Sequence, residues 1–302
     1  MTVNLSALLL VALLVVATAA LGGGRTLRRR FRRPRLIQAV AVGAAAALGP
    51  VNVLQAVAPG RWVGAAAAVA SLVALLGLAG LAYALHNPPR PSRLPRRVLA
   101  IGAHPDDLEL ACGGTLVRLV DSGHEVHLMV MSRGGRGGDA VSRAAEAAAG
   151  GRFVAATGVE VLDHPDTRLS TCENEMAEAI ERAIRRHQPD IVFTHSANDH
   201  HQDHRAVHAA TLRAARHHPA VLCYESPSVT MSFRPTVFVD IEQQLEAKVG
   251  AVAAHRDQRG KPYVNGRRVR SLAAFRGGQA RVGQAEGFEA VRMPVPLFDG
   301  ER

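Results

Sequence analysis

No aspartate or glutamate occurs before residue 106, and within that acid-free stretch lie three long runs without any charge. Residues 3–23 (VNLSALLLVALLVVATAALGG), 36–57 (LIQAVAVGAAAALGPVNVLQAV) and 62–85 (WVGAAAAVASLVALLGLAGLAYAL) each reach the length that a helix rising ~1.5 Å per residue needs to cross ~30 Å of hydrocarbon. Residues 1–85 therefore read as a transmembrane region of three helices. A cleaved secretory signal competes for the first run, since VATAA offers a small-residue cleavage site. The absence of a basic residue ahead of it and its length favour a spanning helix. The second and third runs are separated only by Ala58, Pro59, Gly60 and Arg61, as in a tight hairpin. The second carries Gln38, Gln55, Asn52 and Pro50, which leaves an interfacial helix as its alternative.

Arginine placement orients these segments, because short arginine-rich loops are retained on the cytoplasmic side. Residues 25–35 (RTLRRRFRRPR) hold seven arginines and residues 86–97 four more, against Arg61 alone between the second and third runs. If all three span, both clusters share one face of the bilayer. The expectation is a multi-pass membrane protein with its N-terminus outside and residues 86–302 in the cytoplasm. The same distribution removes nucleic acid as a partner. Residues 1–97 take twelve of the 36 basic residues, leaving 24 against 26 acidic ones in the remainder, so the net charge of +10 belongs to the membrane region. Three cysteines, Cys112, Cys172 and Cys223, without a CxxC pair, give no disulfide framework and fit a reducing compartment.

Pro88, Pro89, Pro91 and Pro95 make residues 86–96 a stiff linker, with a soluble domain from 97 to 302. There short β-branched runs at 98–104, 125–132, 159–164, 190–196, 221–226 and 236–241 alternate with helical stretches near 109–121, 142–157, 173–187, 204–217 and 242–254. Such alternation predicts an α/β fold, a Rossmann-like, mostly parallel sheet flanked by helices. Sites in such sheets form beyond the carboxyl ends of the strands. Two polar clusters fall there: His104-Pro105-Asp106-Asp107 after the first run, and Asn198-Asp199-His200-His201-Gln202-Asp203-His204 after the fourth. A carboxylate in the first cluster would cap the following helix, but capping does not explain the histidine. Imidazole and carboxylate are donors that zinc accepts, and His104, Asp107 and His204 together would supply the three that a catalytic site uses while leaving a position for water; the alternatives are nucleotide binding on the Rossmann-like sheet or unrelated surface histidines. Neither a phosphate-binding nor a dinucleotide glycine pattern is present. Residues 133–138 (RGGRGG) read as a mobile loop over the site or as plain turn, and Gly150-Gly151 as an interruption of a helix. His124, His127, His187, His208, His217 and His218 read as surface or core residues.

Several separate motifs carry a family resemblance. They are AHPDD-x-EL-x-CGGT at 103–115, Arg143 and Glu146 on one helix, QPDIVFTHS at 188–196 and D-x-H-x-DH at 199–204. Tyr224-Glu225-Ser226, Lys248 with His255-x-x-Gln258, and Ala285-Glu286-x-Phe288 follow. From about Arg97 to Met293 the chain resembles the PIG-L (LmbE-like) zinc-dependent N-deacetylases, which remove acetyl groups from N-acetylglucosamine-type amides. The resemblance implies one zinc ion, or another divalent metal, on His104, Asp107 and His204, with Asp106 as general base. It implies His201 at the oxyanion or leaving amine, Asp203 as its orienting partner, and an N-acetylated sugar-containing small molecule or lipid as substrate. Arg143 and Glu146 are expected either to position sugar hydroxyls or to form a helix-surface ion pair. Leu108 and Gln202 depart from the family pattern without removing a ligand. The competing reading is a membrane-tethered carbohydrate or nucleotide-sugar binding protein without catalysis.

Overall fold

The computed structural model describes residues 4–58, 61–89 and 91–294, the side chain of Arg61 excepted. The chain divides into two compact units, Met1–Pro88 and Pro89–Arg302.

The first unit is helical: α1 (Leu5–Gly22), α2 (Gly24–Arg30), α3 (Pro34–Val57) and α4 (Arg61–Leu85). Asn4 caps α1, its side chain accepting the Ala7 N–H, and Pro34 opens α3 at the position where a missing N–H costs nothing. The arginine-rich segment expected as a loop is helical over α2, and the chain turns extended only at Phe31. Residues 59 and 60 of the expected hairpin lie outside the described residues. α1, α3 and residues 62–85 of α4 are long and apolar enough to cross a membrane. Their outward side chains are apolar too, Val57, Trp62 and Val73 among them.

The polar groups that make α3 the weakest apolar run turn toward its neighbours. Asn52 Nδ2 donates to Ser71 Oγ on α4 at 2.8 Å, and both residues are fully buried. Gln38 Nε2 donates to the Ala20 carbonyl of α1 at 3.0 Å, and Asn4 Nδ2 to the Ala56 carbonyl of α3 at 3.2 Å. Buried Gln55 stands against Gly64 of α4. These polar side chains tie neighbouring helices together, the Asn52–Ser71 bond from a fully buried position.

The second unit is a seven-stranded sheet in the order β3-β2-β1-β4-β5-β7-β6, covered by helices. Its strands are β1 (Arg97–Gly102), β2 (Glu125–Val130), β3 (Gly158–Val161), β4 (Ile191–Thr194), β5 (Val221–Tyr224), β6 (Val237–Asp240) and β7 (Ala285–Arg292). β3, β2, β1, β4 and β5 are parallel neighbours, whereas β7 runs antiparallel to both β5 and β6. The helices are α5 (Asp107–Asp121), α6 (Ala140–Val154), α7 (Glu173–His187), α8 (Gln202–Ala214), α9 (Leu245–Val252) and α10 (Gly266–Ala280). The expected α/β architecture is present, with α10 and β7 as additions. α6 continues through Gly150 and Gly151, which were expected to interrupt it. The bare glycines let Glu109 and Val159 approach the helix, where a Cβ at either position would collide with them. Strand order reverses direction between β1 and β4, so a crevice opens beyond their carboxyl ends. Both polar clusters of the sequence follow those two strands.

Asn52→Ala should lower the stability of the helical unit by about 0.6 kcal/mol and by no more than ~1.7 kcal/mol, measured on the full chain by unfolding in mixed detergent micelles. Unchanged stability would show that the Asn52–Ser71 bond contributes nothing net.

Candidate metal centre

At the end of β1 the chain enters α5 through His104-Pro105-Asp106-Asp107. Neither aspartate is used up as a helix cap: Asp106 stands at the cap position without a side-chain capping bond. Asp107 Oδ2 turns back and accepts the N–H groups of Ala103 (3.1 Å) and His104 (2.7 Å). Its other oxygen, Oδ1, lies 3.4 Å from His204 Nε2, while His104 Nδ1 lies 3.3 Å from Oδ2. His204 arrives from the first turn of α8, where Asp199 Oδ2 holds its Nδ1 at 2.9 Å. Asp199 is fixed in turn by the hydroxyls of Ser226 and Ser228. A histidine tied to a carboxylate through one nitrogen while the other faces a donor cluster is the arrangement that orients a metal-ligating imidazole.

Donor atoms of His104, His201 and His204 lie within 4.8 Å of one another, and so do those of Asp107, His195 and His204. Among the described residues no such trio holds His104, Asp107 and His204 together; these three are neighbours pairwise, His104 beside Asp107 Oδ2 and His204 beside Asp107 Oδ1, and they arrive from two strand ends. The charges around them also suit a cation. Asp106, Asp107, Asp199 and Asp203 are buried and Asp166 nearly so, and Arg143 is the buried guanidinium that faces them. Burial alone would lower the His204 pKa, but Asp107 and Asp199 push it up to about 9. In the same way Asp107, Asp166 and Asp203 hold His104 well above the ordinary histidine range. Despite its burial, Asp107 is held well below the ordinary carboxylate range by His204, His195 and His104. The carboxylates clustered here thus favour positive charge at their centre. The residues present fit a divalent ion: two imidazoles and a carboxylate in a buried, acid-rich crevice.

A cavity of about 220 Å³ opens on this cluster, lined by His104, Asp106, Asp107, His201 and His204, with Arg143, Lys261 and Tyr263 among its other walls. Asp106 is held there by Arg143, whose Nη2 donates to Oδ1 at 3.0 Å while Nη1 donates to the Gly134 carbonyl. Residues 134–137 form a hydrogen-bonded turn at the cavity wall. His201 is half-buried and stacks on His204 with ring centroids 4.5 Å apart. Its Nδ1 accepts the Asp203 N–H, so Nε2 is the nitrogen left to carry a proton.

Two expected placements differ. Asp203 was expected to orient His201, but its carboxylate stands 3.2 Å from His104 Nε2 and accepts the N–H groups of Thr167 and Leu169. It pins a neighbouring loop because Asp203, in the first turn of α8, faces inward. Glu146 does not line the cavity: its carboxylate accepts the N–H groups of Arg256 and Asp257. Arg143 is buried on Asp106, so the expected surface ion pair between Arg143 and Glu146 does not form.

Sequence reasoning gave no role to His195 and Asp199, the one stacked on His204 and the other bonded to it, although His195 lies in the 188–196 motif and Asp199 in the second cluster. The distant motifs prove to be braces for α5. That helix is kinked at Cys112, and the amides of Gly114 and Thr115 donate to Glu286 on β7. Lys248 on α9 neutralises Glu286 at 2.5 Å and donates to the Ala111 carbonyl. His255 stands 3.2 Å from Glu109, one turn below the aspartates.

The family model described as PIG-L, GlcNAc-PI de-N-acetylase, matches residues 99–215. The uncharacterized deacetylase YaiS of Escherichia coli K12 is 37% identical over 166 residues, 53% of this chain and 90% of that protein. The chain belongs to the PIG-L family. Diacetylchitobiose deacetylase of Thermococcus kodakarensis is 27% identical over 228 residues, 65% of this chain and 83% of the relative. Among solved structures, the conserved protein TT1542 of Thermus thermophilus superposes with a TM-score of 0.60 at 26% identity. The match covers 68% of this chain and 99% of TT1542. These matches leave about a third or more of the chain uncovered, and the family model lies wholly within the second unit of this PIG-L protein.

Removing one partner of a fully buried ion pair leaves the other charge unpaired, at about 3–5 kcal/mol. Glu286→Gln should therefore destabilise the second unit by about that amount in chemical denaturation, and Lys248→Met/Glu286→Gln by less than Glu286→Gln alone. Equal stability of wild type and Glu286→Gln would remove the brace from the account.

Proposed function

We propose that this PIG-L protein is a zinc-dependent N-deacetylase acting on an N-acetylglucosamine-type glycolipid or glycoside. Residues 97–302 form its catalytic domain, and the preceding helices span the membrane with that domain on the cytoplasmic side. The observation that carries the reading is a buried carboxylate, Asp106, held by Arg143 in the same cavity as the donors His104, Asp107 and His204.

His104, Asp107 and His204 would hold the ion. When bound, it supplies positive charge that polarises an amide carbonyl and eases the ionisation of water near neutral pH. Asp106 takes the proton from the attacking water; Arg143 keeps its Oδ1 oxygen fixed and its carboxyl in the cavity. His201 presents Nε2–H toward the carbonyl oxygen as that oxygen gains charge. A well-placed donor of this kind contributes roughly 3–4 kcal/mol. Proton return to the departing amine falls to Asp106 or His201, both of which line the cavity. Asp199 fixes the orientation of His204, and Asp203 does the same for His104 and the 167–169 loop. The arginines of α2 and of residues 90–97 support the cytoplasmic placement, and a membrane-bound catalytic unit is well placed for a lipid-linked sugar.

The decisive assay is acetate release by the full chain in detergent from a panel of N-acetylglucosaminyl lipids and glycosides. Asp106→Ala should retain about one zinc per chain and lose at least ~100-fold in kcat, the scale of a general base. His204→Ala should lose the metal itself. Bound zinc without acetate release from any member would favour a binding protein. Zinc retained at full stoichiometry by His204→Ala would refute the ligand assignment.

The orientation has its own check. A reporter enzyme active only outside the cytoplasm, fused after residue 302, should be silent, and the same reporter inserted beside Arg61 should be active. The reverse pattern would invert the topology.

A further inference from the structure

His195 is assigned no role by the reading above, yet it is fully buried against two of the proposed ligands. Its place follows from the sheet. β1 and β4 pair from Val98 and Ile191 to Ala100 and Phe193, and β4 ends at Thr194, where the two strands part to open the crevice. Past that point the Ala103 N–H finds no β4 carbonyl to pair with. The His195 side chain takes over: its Nε2 accepts the Ala103 N–H at 3.0 Å. The same N–H is shared with Asp107 Oδ2 at 3.1 Å, and His195 Nε2 lies 3.2 Å from that oxygen.

We infer that His195 is a positioning residue for the metal donors, holding Asp107 and His204 in ligating orientation without being a ligand itself. The inference rests on the metal reading above. An imidazole whose Nε2 accepts an N–H carries its proton on Nδ1, so neither nitrogen keeps a lone pair for a cation. His195 therefore stands within donor distance of Asp107 and His204 and still cannot join them while that bond holds. Asp107 Oδ2 and His195 Nε2 thus converge on one donor at the end of β1, while Oδ1 is the oxygen facing His204.

Its second effect is on the plane of His204. The His195 ring stacks on the His204 ring at 3.9 Å with an interplanar angle of 20°. Tyr224 meets His195 edge-on at 4.8 Å, and the Tyr224 hydroxyl is anchored on the Ile101 carbonyl at 2.7 Å. His201 covers the opposite face of His204. The ligand imidazole is thus sandwiched: the stack sets its plane, and Asp199 sets its rotation within that plane.

The test is zinc affinity of the full chain in detergent, by competition with a chromogenic chelator, for wild type, His195→Phe and His195→Gln. Phenylalanine keeps the stacking surface and removes the acceptor, whereas glutamine keeps an acceptor and loses the ring. His195→Phe should bind zinc 10–100-fold more weakly, the scale for losing a group that orients a ligand, and His195→Gln should recover part of that loss. After cobalt substitution, the visible bands of both variants should keep wild-type intensity, because the coordination number does not change. Wild-type zinc affinity in both variants, even with a lowered melting temperature, would reduce His195 to a packing residue. A change of cobalt coordination in the variants would make it a ligand. Either result overturns the inference while leaving a zinc-binding wild type intact, whereas absence of zinc from wild type would bring down the metal reading and this inference together.

Discussion

Everything at the centre depends on how one carboxylate divides its two oxygens. Asp107 Oδ2 is fastened to the backbone at the end of β1 through the amides of Ala103 and His104, so Oδ1 has nowhere to face but His204. That division is local in origin. A tight turn after a parallel strand presents unpaired N–H groups, and a side chain four residues on can satisfy them. Its consequence is long-range, because it fixes one donor at the point where α8 delivers another from a strand that β1 has already left.

The rest of the second unit keeps that point acidic, buried and rigid. Asp106, Asp107, Asp166, Asp199 and Asp203 share the crevice with the Arg143 guanidinium, an arrangement that would cost folding free energy unless cations, protons or a metal compensate. Behind the crevice, the kinked α5 is stitched to β7 and α9 by Glu286 and Lys248, and α6 approaches closely only because Gly150 and Gly151 lack side chains. Family membership and site geometry point the same way here, which matters because a fold of this kind by itself does not determine a reaction.

Much of this was legible in the sequence wherever the signal was local. The β-branched runs marked six strands, and the two histidine-aspartate clusters marked the ends of β1 and β4. Three charge-free runs marked the long helices. What escaped was encoded in partners far apart along the chain. α10 carries its buried stripe as Val269, Ala273, Arg276 and Gly277, and the arginine disguised the period because its partner, Glu225, is 51 residues away. β7 hid because buried Glu286 breaks the alternation a strand displays. Asp203 was given to the nearest histidine in sequence, whereas the folded chain gives it to His104, 99 residues away. Polar residues in α3 looked like a weakness until the helices supplied their partners.

The central claim is that one ion is held by His104, Asp107 and His204 together. Anomalous diffraction from crystals of the full chain, collected on both sides of the zinc absorption edge, tests it most directly. The account predicts a single strong peak in the crevice at ~2.0–2.2 Å from nitrogens of His104 and His204 and from Asp107 Oδ1. A zinc peak elsewhere, or one in the crevice coordinated without Asp107, would contradict it.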